Sequence, residues 1–277
     1  MDFILDYLSM PIDALLTQST DVRKHPQFHS DLLEGERDLV VYVPQNYDTE
    51  TEARFPVLYL HDGQNLFDPA TSYGGVDWRV DKTAEMLVQN HTIQPLMVVG
   101  IYNTGVKRIE EYTPSRDRKH GGGYADSYGR MLTQEIKPFI EKTYRTLNGA
   151  QNTGLGGSSL GGLVSLYLGL QYPDCFGKLA VMSPSVWWNN RHILKYVEKL
   201  ESKPDLKIWL DIGTAEGDKA LTDARLLRKS LVQKGWKEGA DLRYAEARGA
   251  THSEAAWAAR VAPMLHYLFP AAAPEVA

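Results

Sequence analysis

One cysteine, Cys175, stands in the whole chain, so no disulfide can close within it and nothing demands an oxidising compartment. No run of residues approaches the roughly 20 consecutive apolar positions of a membrane span, so no membrane partner is expected. The segment Met1-Asp2-Phe3-Ile4-Leu5-Asp6 carries acids where a secretory leader needs positive charge, so a cytoplasmic location is expected. Excess positive charge is missing as well. A net charge of −5 gives no basic field to attract nucleic acid. Internal repeats, low-complexity tracts and linker-like stretches are absent. What is present suits a globular chain: 43% hydrophobic and 23% charged residues over 277 positions, enough for a substantial core.

Strand-like and helix-like segments alternate along the chain. Arg37–Val43, Phe55–Leu60, Leu96–Tyr102, Lys178–Met182, Lys207–Ile212 and Asp241–Glu246 read as strands, several of them apolar throughout, as for strands buried on both faces. Helical spacing marks Trp78–Asn90, Tyr124–Tyr144 (tolerating or kinking at Pro138), Gly161–Gln171, a part of Arg191–Leu200, Leu221–Lys234 and Ser253–Leu268. Such alternation predicts βαβ units and a mostly parallel sheet. Lys107–Gly123 reads as a long charged, Gly-rich loop, either functional or a solvated excursion.

Between strand-like Asn152–Gly156 and the helix that follows lies Gly157-Ser158-Ser159-Leu160-Gly161, a Gly-x-Ser-x-Gly sequence. Small residues flank the serine because a strand-to-helix elbow is strained and brings two backbones close together. The elbow lifts the Ser159 hydroxyl above the sheet and aims the Leu160 amide at a developing oxyanion. Two other Gly-rich readings fail. A phosphate loop needs Lys after its last glycine, and Gly162 is followed by Leu163; a dinucleotide loop from Gly154 and Gly156 needs a third glycine where Ser159 stands.

A serine nucleophile needs a base, and the base an orienting acid. Of eight histidines, His252 is best placed, in the loop after the last strand, at the carboxyl edge where ligands collect in open parallel sheets. For the acid, Gly213-Thr214-Ala215-Glu216-Gly217-Asp218 leaves another strand end, with Glu216 the first candidate, Asp218 the second, and Asp211 and Asp223 behind them. The order serine, acid, histidine is that of an α/β-hydrolase. The second oxyanion donor is expected from His61-Asp62-Gly63-Gln64, as the amide of Gly63 or Gln64. Trp187 and Trp188 are candidates to stack a substrate ring at the pocket mouth, or else are core packing. No metal-ligand spacing occurs, and no metal or organic cofactor is expected.

Six segments in order resemble the "putative esterase" family of α/β-hydrolases, which includes esterase D-like enzymes, enterobactin-type siderophore esterases and feruloyl esterases. They are Leu60-His61-Asp62-Gly63-Gln64-Asn65, Arg108 to Pro114, Gly156 to Gly162, Ser183-Pro184-Ser185-Val186-Trp187-Trp188, Gly213-Thr214-Ala215-Glu216 and Gly249 to Glu254. The resemblance runs from Arg37 to Phe269. It implies a single α/β-hydrolase catalytic domain at 37–277, a mostly parallel central sheet with helices on both faces, and an N-terminal extension, 1–36, packed on it. It matches Ser159 to the nucleophile, Leu160 to its oxyanion amide and His252 to the base. Glu216 falls where many members carry aspartate, a departure that touches the third member only. The activity implied is serine ester hydrolysis of a small molecule, with a siderophore-like substrate ranked ahead of aromatic and acetyl esters. The cluster Lys107, Arg108, Arg116, Arg118 and Lys119 could meet an anionic substrate, or be a solvated face. An acyltransferase on the same scaffold and a catalytically silent binding scaffold remain as alternatives, and the oligomeric state is open.

Overall fold

Eight strands line up in one sheet in the order β1-β2-β4-β3-β5-β6-β7-β8, in a computed structural model that describes residues 20–271. They are β1 (Asp21–Phe28), β2 (Arg37–Val43), β3 (Val57–His61), β4 (Met97–Ile101), β5 (Thr153–Ser158), β6 (Lys178–Met182), β7 (Lys207–Gly213) and β8 (Leu242–Ala247). β1, β2 and β4 pair antiparallel in turn, and every pairing from β4 to β8 is parallel. The helices are α1 (Val80–Gln89), α2 (Arg108–Glu111), α3 (Ala125–Met131), α4 (Lys137–Thr143), α5 (Leu160–Gln171), α6 (Trp188–Lys199), α7 (Asp218–Lys234), α8 (Glu254–Ala258) and α9 (Val261–Leu268). The fold is that of an α/β-hydrolase, in one domain with helices on both faces of the sheet.

Alternation along the strands sorts the core into two layers. Val57 and Tyr59 of β3 join Leu155 of β5 and Val181 of β6 in one apolar cluster, while Leu58, Leu60, Ala180 and Met182 join α1 and α9 in the other. Helix α5 is buried along its whole length from Leu160 to Leu170, so it is apolar on every side. Each fully buried Leu or Val there contributes about 1.5–3 kcal/mol relative to exposure. That rigid layer carries the serine elbow.

Several boundaries differ from the sequence reading, each for a local reason. Residues 21–28, placed in the extension by sequence, form the edge strand β1; residues 1–19 lie outside the described residues. Pro26 and the polar character of Asp-Val-Arg-Lys-His-Pro-Gln-Phe hide a strand that an edge tolerates. The long helical pattern at 124–144 is α3 and α4 joined by a wide π-type turn over Leu132–Ile136. Pro138 cannot donate to the carbonyl four residues back, and the wide turn absorbs that loss. The last helix is likewise two, α8 and α9. Pro263 could not bond back to Ala259, so the chain breaks at Ala259–Arg260 and turns Arg260 inward, where it is 5% exposed. The 107–123 segment is not structureless. It holds α2 and a tight turn closed by reciprocal Asp117 and Gly121 backbone bonds of 2.7 and 3.0 Å.

Candidate active site

Ser159 links β5 directly to α5 with φ 58° and ψ −120°, a conformation that a serine holds only where the surrounding structure enforces it. The close approach is measurable. A Cβ on Gly162 would stand 2.8 Å from the Met182 carbonyl oxygen, and one on Gly157 would stand 3.1 Å from the Gly161 backbone. The backbone of Ser159 is tied on both sides, its N–H donating to Met182 O at 3.0 Å and its carbonyl accepting from Ser185 N at 3.0 Å.

His252 enters from the loop ahead of α8, and its Nε2 lies 3.0 Å from Ser159 Oγ. Its Nδ1 lies 2.6 Å from Glu216 Oε2. The three residues that the sequence analysis singled out, 93 and 36 positions apart, thus form one hydrogen-bonded row at the carboxyl edge of the sheet. Trp257 packs edge-on against the imidazole, with centroids 4.8 Å apart and planes at 83°. The Glu216 side chain is only 1% exposed, whereas that of His252 is 45% exposed. Burial pushes the Glu216 carboxyl up, but bonds from His252, Ser183 and the Gly213 amide outweigh it and hold the group below the usual glutamate range. Asp218, the second candidate acid, opens α7 on the surface and takes no part in the row.

The loop after β3 turns through Asp62 in the left-handed conformation, φ 56° and ψ 46°. Gly63 backs onto β4, so that a Cβ there would be 2.5 Å from the Gly100 carbonyl carbon. Gln64 lines a cleft of about 260 Å³ beside Ser159, together with Asp62, Asn65, Tyr73, Asn103, Arg108, Ser158, Glu254 and Trp257. No aliphatic side chain is in that set. Arg108 reaches Asp62 with Nε to Oδ1 and Nη2 to Oδ2, both at 2.7 Å, and Asn103 Nδ2 donates to Oδ1 at 2.7 Å. Burial raises the Glu254 carboxyl, which accepts from Trp78 Nε1 and, at 3.3 Å, from Asn65 Nδ2.

The two tryptophans part company. Trp187 is 42% exposed, with its ring 6.0 Å from that of His120. Trp188 is 2% exposed and donates Nε1 to Ser115 O at 2.8 Å, so no face is left for a substrate and its place is in the core. In the basic cluster, Lys107 pairs with Glu34 at 3.1 Å and Arg108 with Asp62, while Arg116, Arg118 and Lys119 are exposed.

Sequence reasoning passed over Ser185, whose Oγ is 3.2 Å from Ser159 Oγ, and over Ser183 and Arg260 behind Glu216, while Asp211, a lesser candidate for the acid, pairs with Arg260 instead. A signal existed for one of them. An aspartate inside the apolar strand Lys-Ile-Trp-Leu-Asp-Ile-Gly needs a buried partner, and Arg260 is it, 3.3 Å from Asp211 Oδ1.

A serine on a strand–helix elbow above a parallel sheet, with a histidine from the loop after the last strand, defines an α/β-hydrolase of the esterase type. Residues 30–268 match the family described as "Putative esterase", and the chain belongs to that family. It is 30% identical over 218 residues to the uncharacterized protein YbbA of Bacillus subtilis, spanning 74% of this chain and 81% of that one. It is also similar to the ferri-bacillibactin esterase BesA of Bacillus subtilis, at 28% identity over 171 residues and 54% of each chain. A solved ferulic acid esterase superposes with a TM-score of 0.71 at 19% identity, over 91% of this chain and 99% of that one. The chain is accordingly a carboxylic ester hydrolase.

Proposed function

We propose that the chain hydrolyses a small polar ester through an acyl-enzyme on Ser159, with His252 as general base and Glu216 as the acid that orients it. The observation that carries this reading is the row of 3.0 and 2.6 Å contacts from Ser159 through His252 to Glu216. A carboxylate beside Nδ1 accepts a hydrogen bond from the ring N–H and keeps the proton on that nitrogen, which leaves Nε2 as the acceptor that a hydroxyl nucleophile requires.

In the first half-reaction, Ser159 Oγ attacks the ester carbonyl as its proton passes to His252 Nε2. Negative charge collects on the carbonyl oxygen, within reach of the Leu160 amide and that of Gly63 or Gln64. The carbon–oxygen bond to the alcohol breaks as the imidazolium returns the proton to the leaving alkoxide. In the second half, His252 takes a proton from water, hydroxide adds to the acyl carbon, and Ser159 leaves with the proton, releasing the carboxylic acid.

The polar lining of the cleft favours a substrate rich in hydrogen-bonding groups over a fatty acyl ester. Similarity to BesA, a ferri-bacillibactin esterase, and to a ferulic acid esterase supports a siderophore-like or aromatic ester, with acetyl esters of polar alcohols next. Among the described residues no helix is long and apolar enough to cross a membrane. The single thiol suits a reducing compartment, and we keep a cytoplasmic location and a small-molecule partner as parts of this proposal.

The test is turnover of p-nitrophenyl acetate, ethyl ferulate and p-nitrophenyl palmitate by wild type, Ser159→Ala and His252→Ala. Turnover of the first two by wild type alone is expected, with kcat down at least about 10³-fold in either variant. Unchanged turnover in Ser159→Ala would overturn the reading.

A further inference from the structure

Behind Glu216 lies a buried polar set that the ester reaction itself does not consume. Ser183 follows β6, is 1% exposed and holds φ 41°, a left-handed backbone that a serine adopts only under constraint. Its Oγ lies 2.6 Å from Glu216 Oε1, 3.0 Å from Trp257 Nε1 and 2.7 Å from Arg260 Nη2. Indole and guanidinium N–H groups can only donate. They fill both lone pairs of the hydroxyl oxygen, so its single proton has one acceptor left, the Glu216 carboxylate.

The rest of the set holds Ser183 and Arg260 in place. The Ser183 amide donates to Asp211 Oδ1 at 3.2 Å, and Trp209 Nε1 donates to Asp211 Oδ2 at 2.7 Å. Arg260 Nε stands 3.3 Å from Asp211 Oδ1, and its Nη2 stands 3.8 Å from Glu216 Oε1. The guanidinium therefore pairs with both Asp211 and Glu216, and the serine hydroxyl bridges its Nη2 and Glu216 Oε1.

We propose that Ser183, oriented by Trp257 and Arg260, is a positioning residue that fixes the Glu216 carboxylate in its bond to His252. This rests on the roles of Glu216 and His252 proposed above. The hydroxyl supplies a third fixed contact for Oε1 and Oε2 together, beside His252 and the Gly213 amide at 2.8 Å.

The test is the pH profile of kcat/KM on p-nitrophenyl acetate for wild type, Ser183→Ala and Ser183→Cys, with Ser159→Ala as blank. The charged groups around the pair are Asp211 and Arg260 behind it and Glu254, Asp62 and Arg108 on the cleft side; all are kept in these variants. Losing a donor makes the carboxylate more basic, which supports the imidazolium. Ser183→Ala is expected to lower kcat about tenfold, the worth of one charge-assisted hydrogen bond, with KM unchanged. Its acid limb is expected to move up by about half a pH unit or more, and Ser183→Cys, which keeps a weak donor, to bring it part of the way back. A folded Ser183→Ala with its acid limb in place overturns the proposal. Should Ser183→Ala not fold, neutron diffraction on the wild type decides: a deuteron on Ser183 Oγ directed at Glu216 is the expected result, and one directed elsewhere overturns it. A wild type without Ser159-dependent turnover overturns the parent reading, and this one with it.

Discussion

Arg108 and Asp62 are joined by two parallel hydrogen bonds of 2.7 Å, one to each carboxylate oxygen, so helix α2 is fastened to the loop that follows β3. Tyr112, just past α2, adds a second tie, its hydroxyl accepting from the Asp62 amide at 3.3 Å. The loop carrying Gly63 and Gln64 is thus held from the side by a segment that looks like an exposed charged run in the sequence. Arg108→Met removes the fork and leaves Asp62 with Asn103 as its remaining side-chain partner. In the proposed mechanism this loosens the second oxyanion donor, and kcat on p-nitrophenyl acetate is expected to fall about 10- to 100-fold, with Ser159 labelling retained. Wild-type kcat in the variant would contradict that role.

Gly63 is fixed by space rather than by backbone conformation. A methyl group there meets the Gly100 backbone at 2.5 Å, and a strand backbone does not give way as a flexible side chain would. Gly63→Ala is therefore expected to cost about 1–3 kcal/mol of stability and to displace the loop. Urea unfolding gives the first quantity and kcat the second.

Glu216 sits below the usual glutamate range, so the folded state holds it ionised more strongly than the unfolded chain does. Its contribution to stability is complete above the ordinary glutamate pKa and is lost as pH falls through its own lower value. Glu216→Gln abolishes that contribution and presents an amide to His252. In the proposed mechanism kcat at neutral pH is expected to fall about 10³–10⁴-fold, because the imidazole loses the carboxylate that sets its tautomer. Glu216→Gln with near wild-type kcat would leave a serine–histidine dyad as the better account.

His61 gives a prediction independent of catalysis. It is fully buried, its Nδ1 lies 2.9 Å from the Tyr128 hydroxyl, and burial lowers its pKa to about 3. The unfolded chain takes up a proton near the ordinary histidine value of about 6.5, whereas the folded chain does not until near 3. Stability from this residue is present above about pH 6.5 and declines as pH falls toward 3, by about 1.4 kcal/mol per pH unit for one proton. Urea unfolding between pH 7 and 4.5 should show a smaller loss in His61→Gln than in wild type.

The hydrogen-bonded row of Ser159, His252 and Glu216 was legible in sequence because each residue lies in a glycine-containing turn just past the end of a parallel strand. Edge strand β1 was not legible, because Pro26 and polar residues deny it the alternation that marks half-buried strands. Nor was Trp188, for the sequence gives two adjacent tryptophans and only the fold shows which one turns inward toward Ser115. The support behind Glu216 was hidden for another reason. Ser183, Asp211 and Arg260 come from two strand ends and a helix break, and Arg260 turns inward at the break between α8 and α9.

Intact-mass analysis after treatment with a fluorophosphonate probe, wild type beside Ser159→Ala, tests the central claim most directly. One adduct on wild type and none on the variant is the result this account predicts, since only an activated hydroxyl at the elbow reacts. An adduct on both proteins, or on neither, would contradict an activated Ser159.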